Sequence, residues 1–168
     1  PPQIFTHATK SGIRGTAKSI DCYYKTGTII NRRLYVGNIY QKTADSPDVY
    51  KHYNDRLLKS ITNKFDVLPD TEYVDVAIRD GESIVKLAGF AGRLLQFKEN
   101  MLYIINVSGE SEYLEAKFVN MGISHPNAVA ETEIGVFWAN EYGLSYFNGK
   151  EAPENLIDNK IDISEWNS

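Results

Sequence analysis

The chain has one cysteine, Cys22, in 168 residues, so no intrachain disulfide framework holds it together. That usage fits assembly in a reducing cytosol. No apolar run approaches the roughly 18 residues of a membrane span, and no signal-peptide pattern opens the chain. It begins Pro1-Pro2 without methionine and reads as an internal piece of a longer polypeptide or as a processed one. The histidines His7, His52 and His125 lie far apart, and neither Cys-x-x-Cys nor His-x-x-x-His spacing occurs, so no zinc site is expected. The phosphate loop Gly-x-x-x-x-Gly-Lys, the Gly-x-Gly-x-x-Gly fingerprint and the Gly-x-Ser-x-Gly elbow are all missing. A net charge of −4 and a pI near 5.4 argue against coating nucleic acid through overall charge.

Hydrophobic residues make up 42% and charged residues 24%, enough apolar content for a packed core. The 11 tyrosines suit half-buried strand faces, and also interfaces where one end of the ring stays wet. The stretch from Ile84 to Gly149 organises the rest as two similar packets of short apolar runs. The first holds Ile84 to Phe90, Arg93 to Lys98, Met101 to Val107 and Tyr113 to Val119. The second holds Ala128 to Thr132, Gly135 to Ala139, Gly143 to Phe147 and a run near Asn155 to Ile157. Each run is strand length, rich in β-branched and aromatic residues, and bounded by turn residues. Four short strands in roughly 40–45 residues make the blade unit of a β-propeller. The fold class expected is all-β, with antiparallel propeller-like blades, about three of them, belonging to a larger propeller.

Residues 1–18 read as loop or linker. A strand is expected over Ser19 to Lys25, turned by Thr26-Gly27. Thr28-Ile29-Ile30 then leads through Asn31-Arg32-Arg33 into Leu34 to Tyr40 as an antiparallel pair. From Gln41 to Tyr53 the composition turns to Thr, Ala, Asp, Ser, Pro, Lys and His, which reads as an inserted loop of a length uncommon unless functional or mobile. Asp55 to Ser60 reads as another strand, and Glu72 to Ile78 alternates strictly enough for a half-buried one, with Asp80-Gly81 turning it. A weak repeat aligns Arg33-Leu34-Tyr35-Val36, Arg93-Leu94-Leu95-Gln96 and Gly135-Val136-Phe137-Trp138, spaced about 60 and about 42 residues apart, which suggests one blade enlarged by the 41–53 insertion. Blades therefore span 19–157, and 158–168 starts a following element in which Ser164 caps a short helix. Phe90, Leu95, Phe97, Tyr103, Ile105, Val136, Trp138, Leu144 and Phe147 are the expected core.

Two carboxylates at the right separation suffice for a glycosidase, and Asp66, Asp75, Asp80 and Glu82 are the candidates. Turn and strand-face roles account for them better: Asp80 belongs to a turn, Asp75 to a polar strand face, and Asp66 to a side-chain-capped turn. Asn106-Val107-Ser108 matches the N-glycosylation pattern, without a visible secretory route. Arg32-Arg33, Lys59 and Lys64 read as solvated strand edges that blunt unwanted pairing. No catalytic residue, cofactor site or metal site is assigned.

The succession Arg33 to Asn38, Asp55 to Ser60, Asn63 to Pro69, Gly92 to Asn100 with Leu102 to Ile105, Gly135 to Asn140 and Gly143 to Gly149 resembles propeller-containing structural proteins of short-tailed bacteriophages, the nozzle, tail tubular and tail-stabilising class. The similarity covers roughly residues 29–162. It implies a non-enzymatic virion protein, assembled in the host cytoplasm. Copies would form a ring in the tail or neck that touches portal or adaptor and tail or fibre proteins and passes DNA without reading its sequence. Ring contacts would come from loops and strand edges, so the 41–53 insertion, with Asp45, Asp48, Tyr50, His52 and Tyr53, is the first candidate contact. The chain is shorter than a full nozzle subunit and has fewer blades than closure needs. Two other classes stay open: a glycan-binding or glycan-cleaving propeller stacking sugars on Tyr142, Tyr146 or Trp138, and a scaffold that docks peptides.

Overall fold

The computed structural model describes residues 5–7, 13–14, 17–18, 21–42, 49–75 and 81–168. The strands are β1 (Phe5–His7), β2 (Ile13–Arg14), β3 (Ala17–Lys18), β4 (Cys22–Ile30), β5 (Arg33–Lys42), β6 (Tyr50–Lys59), β7 (Tyr73–Val74), β8 (Lys86–Phe90), β9 (Arg93–Phe97), β10 (Met101–Asn106), β11 (Tyr113–Val119), β12 (Val129–Thr132), β13 (Gly135–Asn140), β14 (Gly143–Phe147) and β15 (Glu154–Asn155). One helical turn, α1 (Ile163–Trp166), follows them. Three antiparallel sheets result, ordered β1-β4-β5-β6-β7, β8-β9-β10-β11 and β12-β13-β14-β15, beside a small β2-β3 pair. The protein is all-β and built of blade-like sheets that do not close a ring. Among the described residues no helix is long and apolar enough to cross a membrane.

Tight turns fix the register. Asn31 and Arg32 have φ of 49° and 60°, and Ala91 and Gly92 of 48° and 74°, so β4–β5 and β8–β9 are joined by two-residue turns whose twist matches that of the strands. Asn31 also donates its side-chain amide to the Val107 carbonyl in the second sheet.

Period-2 alternation then sorts side chains onto two faces. Tyr35 and Leu57 of the first sheet pack with Leu87, Leu94, Ile105 and Val107 of the second. On its other face the second sheet presents Leu95, Phe97, Leu102 and Ile104 to Val136, Trp138 and Phe147 of the third. Phe97 and Trp138 meet edge-on, centroids 5.2 Å apart. The first strands lie side by side, β8 touching β4 on one flank and β12 on the other. That is the blade-on-blade stacking which the repeat implied.

Several sequence expectations are corrected. Thr26-Gly27 is not a turn: β4 runs through both, and Gly27 lets Tyr35 and Val36 approach where a Cβ would sit 3.2 Å from the Tyr35 carbonyl oxygen. Residues 1–18 are not only linker, because β1 extends the first sheet along the edge of β4. The 41–53 insertion shrinks, since β5 runs to Lys42 and β6 begins at Tyr50. Part of the added length lies in residues 60–72, which place Leu68 over Cys22, Val36, Ile39 and Leu58 on the far face of the first sheet. Among the described residues of the alternating run, Tyr73 and Val74 form a strand and Asp75 turns to Arg56; residues 76–80, Asp80 among them, lie outside the described residues. Asp162, not Ser164, caps α1, accepting from the Ser164 amide at 2.8 Å. Phe90 and Leu144 are half-buried rather than buried, while the other seven expected core residues are buried.

The Gln96 amide and the Trp138 indole N–H, at equivalent positions of successive sheets, are buried without a hydrogen-bond partner. Replacing Phe97 or Trp138 with alanine should cost roughly 3–5 kcal/mol by cavity formation. Chemical denaturation checks this, and a near-zero loss at both positions would refute the packing described.

Candidate functional site

Beyond the stacked core, the first sheet continues as a long ribbon made by β4, β5 and β6. Asn38, at φ 56°, marks a bulge where the pairing shifts between Gly37 and Ile39. Its buried amide donates to the Ile84 carbonyl at 2.9 Å, and its side-chain oxygen meets His52 Nε2 at 2.7 Å. Because that oxygen can only accept, Nε2 of His52 carries the proton.

Three of the five candidate contact residues are here, on a strand rather than a loop. Tyr50, His52 and Tyr53 of β6 pair with Lys42, Tyr40 and Ile39, and Asp45 and Asp48 lie outside the described residues. His52 stacks on Tyr40 with centroids 4.1 Å apart and planes 5° from parallel. On the same face the Tyr50 hydroxyl donates to that of Tyr23 at 3.1 Å. The opposite face carries a cation ladder: Lys51 lies 4.9 Å from the Tyr53 ring, and Arg56 sits 4.3 Å from Tyr53 and 4.5 Å from Tyr73. Arg56 also grips Asp75 through two bonds of 3.0 and 3.1 Å. The alternation of β6 thus splits the candidate residues onto two faces. Sequence reasoning placed them together because the Thr, Asp, Ser and Pro between them read as loop.

A second polar cluster ties the first sheet to the second beside a cavity of about 450 Å³ lined by Arg33, Tyr35, Ser108 and Glu112. Lys59 reaches both oxygens of Glu112 at 2.8 and 2.7 Å, and the Tyr35 hydroxyl donates to the same carboxylate at 3.1 Å. Glu72 lies 3.6 Å from both Arg33 and Lys59. Burial alone would raise the Glu112 pKa, but the hydrogen bonds from Lys59, its own backbone and Tyr35 outweigh it and hold the carboxyl below its ordinary range. This cluster escaped sequence reasoning, since Tyr35 and Glu112 lie 77 residues apart.

Two of the four carboxylates considered for chemistry have structural partners. Asp75 is paired with Arg56, and Glu82 accepts from the Asn100 amide and side chain at 3.1 and 2.8 Å. Burial, with Asp21 adding to it, pushes the Cys22 thiol up to about 11, so it stays protonated near neutral pH. Asn106 of the glycosylation pattern is buried and donates to Glu115 at 2.9 Å. Trp138 is 1% exposed and therefore cannot stack on a sugar, and Tyr146 stacks on Phe137. Tyr142 is the exposed one of the three, beside a 280 Å³ cleft lined by Glu99, Asn100, Asn140 and Glu141. Among the described residues no three His, Cys, Asp or Glu side chains gather as a metal-binding group.

The chain matches no known protein-family model, and no curated protein aligns with it significantly. What fold and geometry define is an all-β assembly of blade-like sheets stacked face to face.

Two outcomes follow. Glu112→Ala should cost about 2–4 kcal/mol at neutral pH by leaving Lys59 without its closest partner in a poorly solvated site. Glu112 has a depressed folded pKa, so its stabilisation is full above the ordinary carboxyl range and is lost as pH falls through the folded value. Burial first, and Lys25 second, depress the His52 pKa as well. The fold therefore favours the neutral imidazole, and that contribution fades as pH falls through the folded value. Thermal melts from pH 7.5 to 5 should show a shallower loss in His52→Phe, which keeps the ring stack without the ionisation, than in the parent.

Proposed function

We propose that this chain is a non-catalytic structural module that builds a larger assembly through its sheet faces, as a ring-forming component of a short-tailed bacteriophage tail or neck. One observation carries the reading. At the positions where the second sheet has Leu95, Phe97, Leu102 and Ile104, all buried against a neighbour, the third sheet has Phe137, Ala139, Leu144 and Tyr146, all half-buried. Apolar residues repeated at stacking positions suit a face that receives another sheet, whereas a solvated face of an antiparallel sheet alternates to polar.

The resemblance of the motif order to the nozzle and tail tubular class suggests the biological setting. In that setting the module surrounds a channel through which DNA passes without sequence recognition, and it meets portal or adaptor proteins on one side and tail or fibre proteins on the other. The aromatic ribbon of β4 to β6 extends away from the stacked core and suits contact with such neighbours. Its mechanism is shape and packing rather than turnover.

Native mass measurement with negative-stain imaging tests the reading. A closed ring with a central hole is the expected result. A compact monomer that forms no ring at any concentration would overturn it.

A further inference from the structure

The turn between β13 and β14 is held more firmly than a hairpin needs. Three successive carbonyls, those of Asn140, Glu141 and Tyr142, each accept a side-chain hydrogen bond from further along the chain. The donors are the Trp166 indole at 2.8 Å, Asn167 at 2.9 Å and Asn155 at 2.8 Å. The Asn140 side chain joins this turn to the segment after β11, donating to the Asn120 and Gly122 carbonyls at 3.0 and 2.9 Å. Its oxygen accepts from the Tyr142 amide at 2.9 Å. Gly122 in turn packs on the β9–β10 turn so tightly that a Cβ would lie 2.4 Å from the Glu99 carbonyl oxygen. Hairpins of this kind close on backbone bonds alone, so the added clamping fixes the position of what these turns present.

They present a cleft of about 280 Å³, just under the usual size of small-molecule sites and enough for one sugar ring. Glu99, Asn120, Ser124 and Glu141 line it, all exposed, together with Tyr142 at 42% exposure. The side chains of Glu99, Asn120 and Ser124 have no partner among the described residues, and Glu141 has only the hydroxyl of its neighbour Tyr142. The backbone that carries these groups is thus satisfied, while their own hydrogen-bonding capacity is unused.

That set of groups suits an uncharged sugar. A carboxylate or amide can engage two neighbouring hydroxyls of a pyranose, an aromatic ring can cover its apolar C–H face, and side chains fixed beforehand lose little freedom on binding. Charge narrows the class. Two carboxylates line the cleft and no Lys or Arg does, so a uronate or sialic acid is repelled. The larger cavity beside Glu112 offers no comparable surface, because Tyr35 there is buried and its hydroxyl engaged. We propose that the cleft binds the terminal pyranose of an uncharged glycan, with the ring face on Tyr142 and hydroxyls on Glu99, Asn120 and Glu141. Binding there does not depend on ring formation.

Titrating the whole chain with the methyl glycosides of glucose, galactose, mannose and N-acetylglucosamine, followed by amide NMR, tests the site. At least one should shift the Gly122, Ser124 and Tyr142 amides, with a dissociation constant in the millimolar range expected for a single ring. Tyr142→Ala should weaken that binding by about tenfold, and Tyr142→Trp, which keeps a stacking face, should retain it. Glu99→Ala should weaken it as well. Both positions are exposed, so circular dichroism should report an unchanged fold. No shift with any of the four glycosides would overturn the site. So would binding indifferent to Tyr142→Ala, equal binding of methyl glucuronide, or shifts reproduced by calcium chloride alone, which would make Glu99 and Glu141 cation ligands instead. Imaging the same samples separates this site from the ring reading: rings that bind no glycoside overturn the site alone, and a monomer that binds one overturns the ring alone.

Discussion

The rest of the structure depends on the apolar contact that the second sheet makes with both neighbours. Leu87, Leu94 and Ile105 face one way and Leu95, Phe97, Leu102 and Ile104 the other, so this sheet reads as nearly continuous hydrophobic runs. Its neighbours each bury one face against it. A sheet of three or four short strands has little stability alone, and stacking supplies the missing burial. The tight β8–β9 turn serves the same contact. Gly149 packs so closely on Ala91 and Phe90 that a Cβ there would lie 2.6 Å from that of Ala91.

Polar groups reinforce this stacking. Glu112 joins Lys59 and Tyr35 across the first interface, and the Gly89 amide reaches Glu131 across the second at 3.0 Å. Two of the candidate carboxylates are engaged in structural pairs, Asp75 with Arg56 and Glu82 with Asn100. Buried Gln96 stands apart, since its amide has no partner and nothing in the structure explains it.

The second and third sheets were legible in the sequence because each strand is bounded by a compact turn and packed on at least one face. Local composition therefore carried most of the signal, and the repeat at Leu34, Leu94 and Val136 places equivalent residues in equivalent strands. The first sheet was harder. Gly27 looked like a turn residue, yet close cross-strand approach is what uses it. Tyr50 and His52 looked like loop because their strand is stabilised by rings on the partner strands, Tyr23 and Tyr40, at a sequence distance no local pattern reveals. The cluster around Glu112 was invisible for the same reason. Asp162 took the capping role expected of Ser164 because both residue types favour that position and the helix begins two residues earlier than expected.

The bulge at Asn38 has a mechanical consequence. It lies where β4, β5 and β6 run on past the contact with the second sheet, with β1 paired along β4, and its amide is tied into the buried backbone at Ile84. A force applied along the ribbon would reach the core parallel to the strands. It would load many ladder hydrogen bonds together in shear, rather than opening them one at a time from an edge. The ribbon is thus attached to the stack as a lever is to a clamped base, stiff along its length and compliant about the bulge.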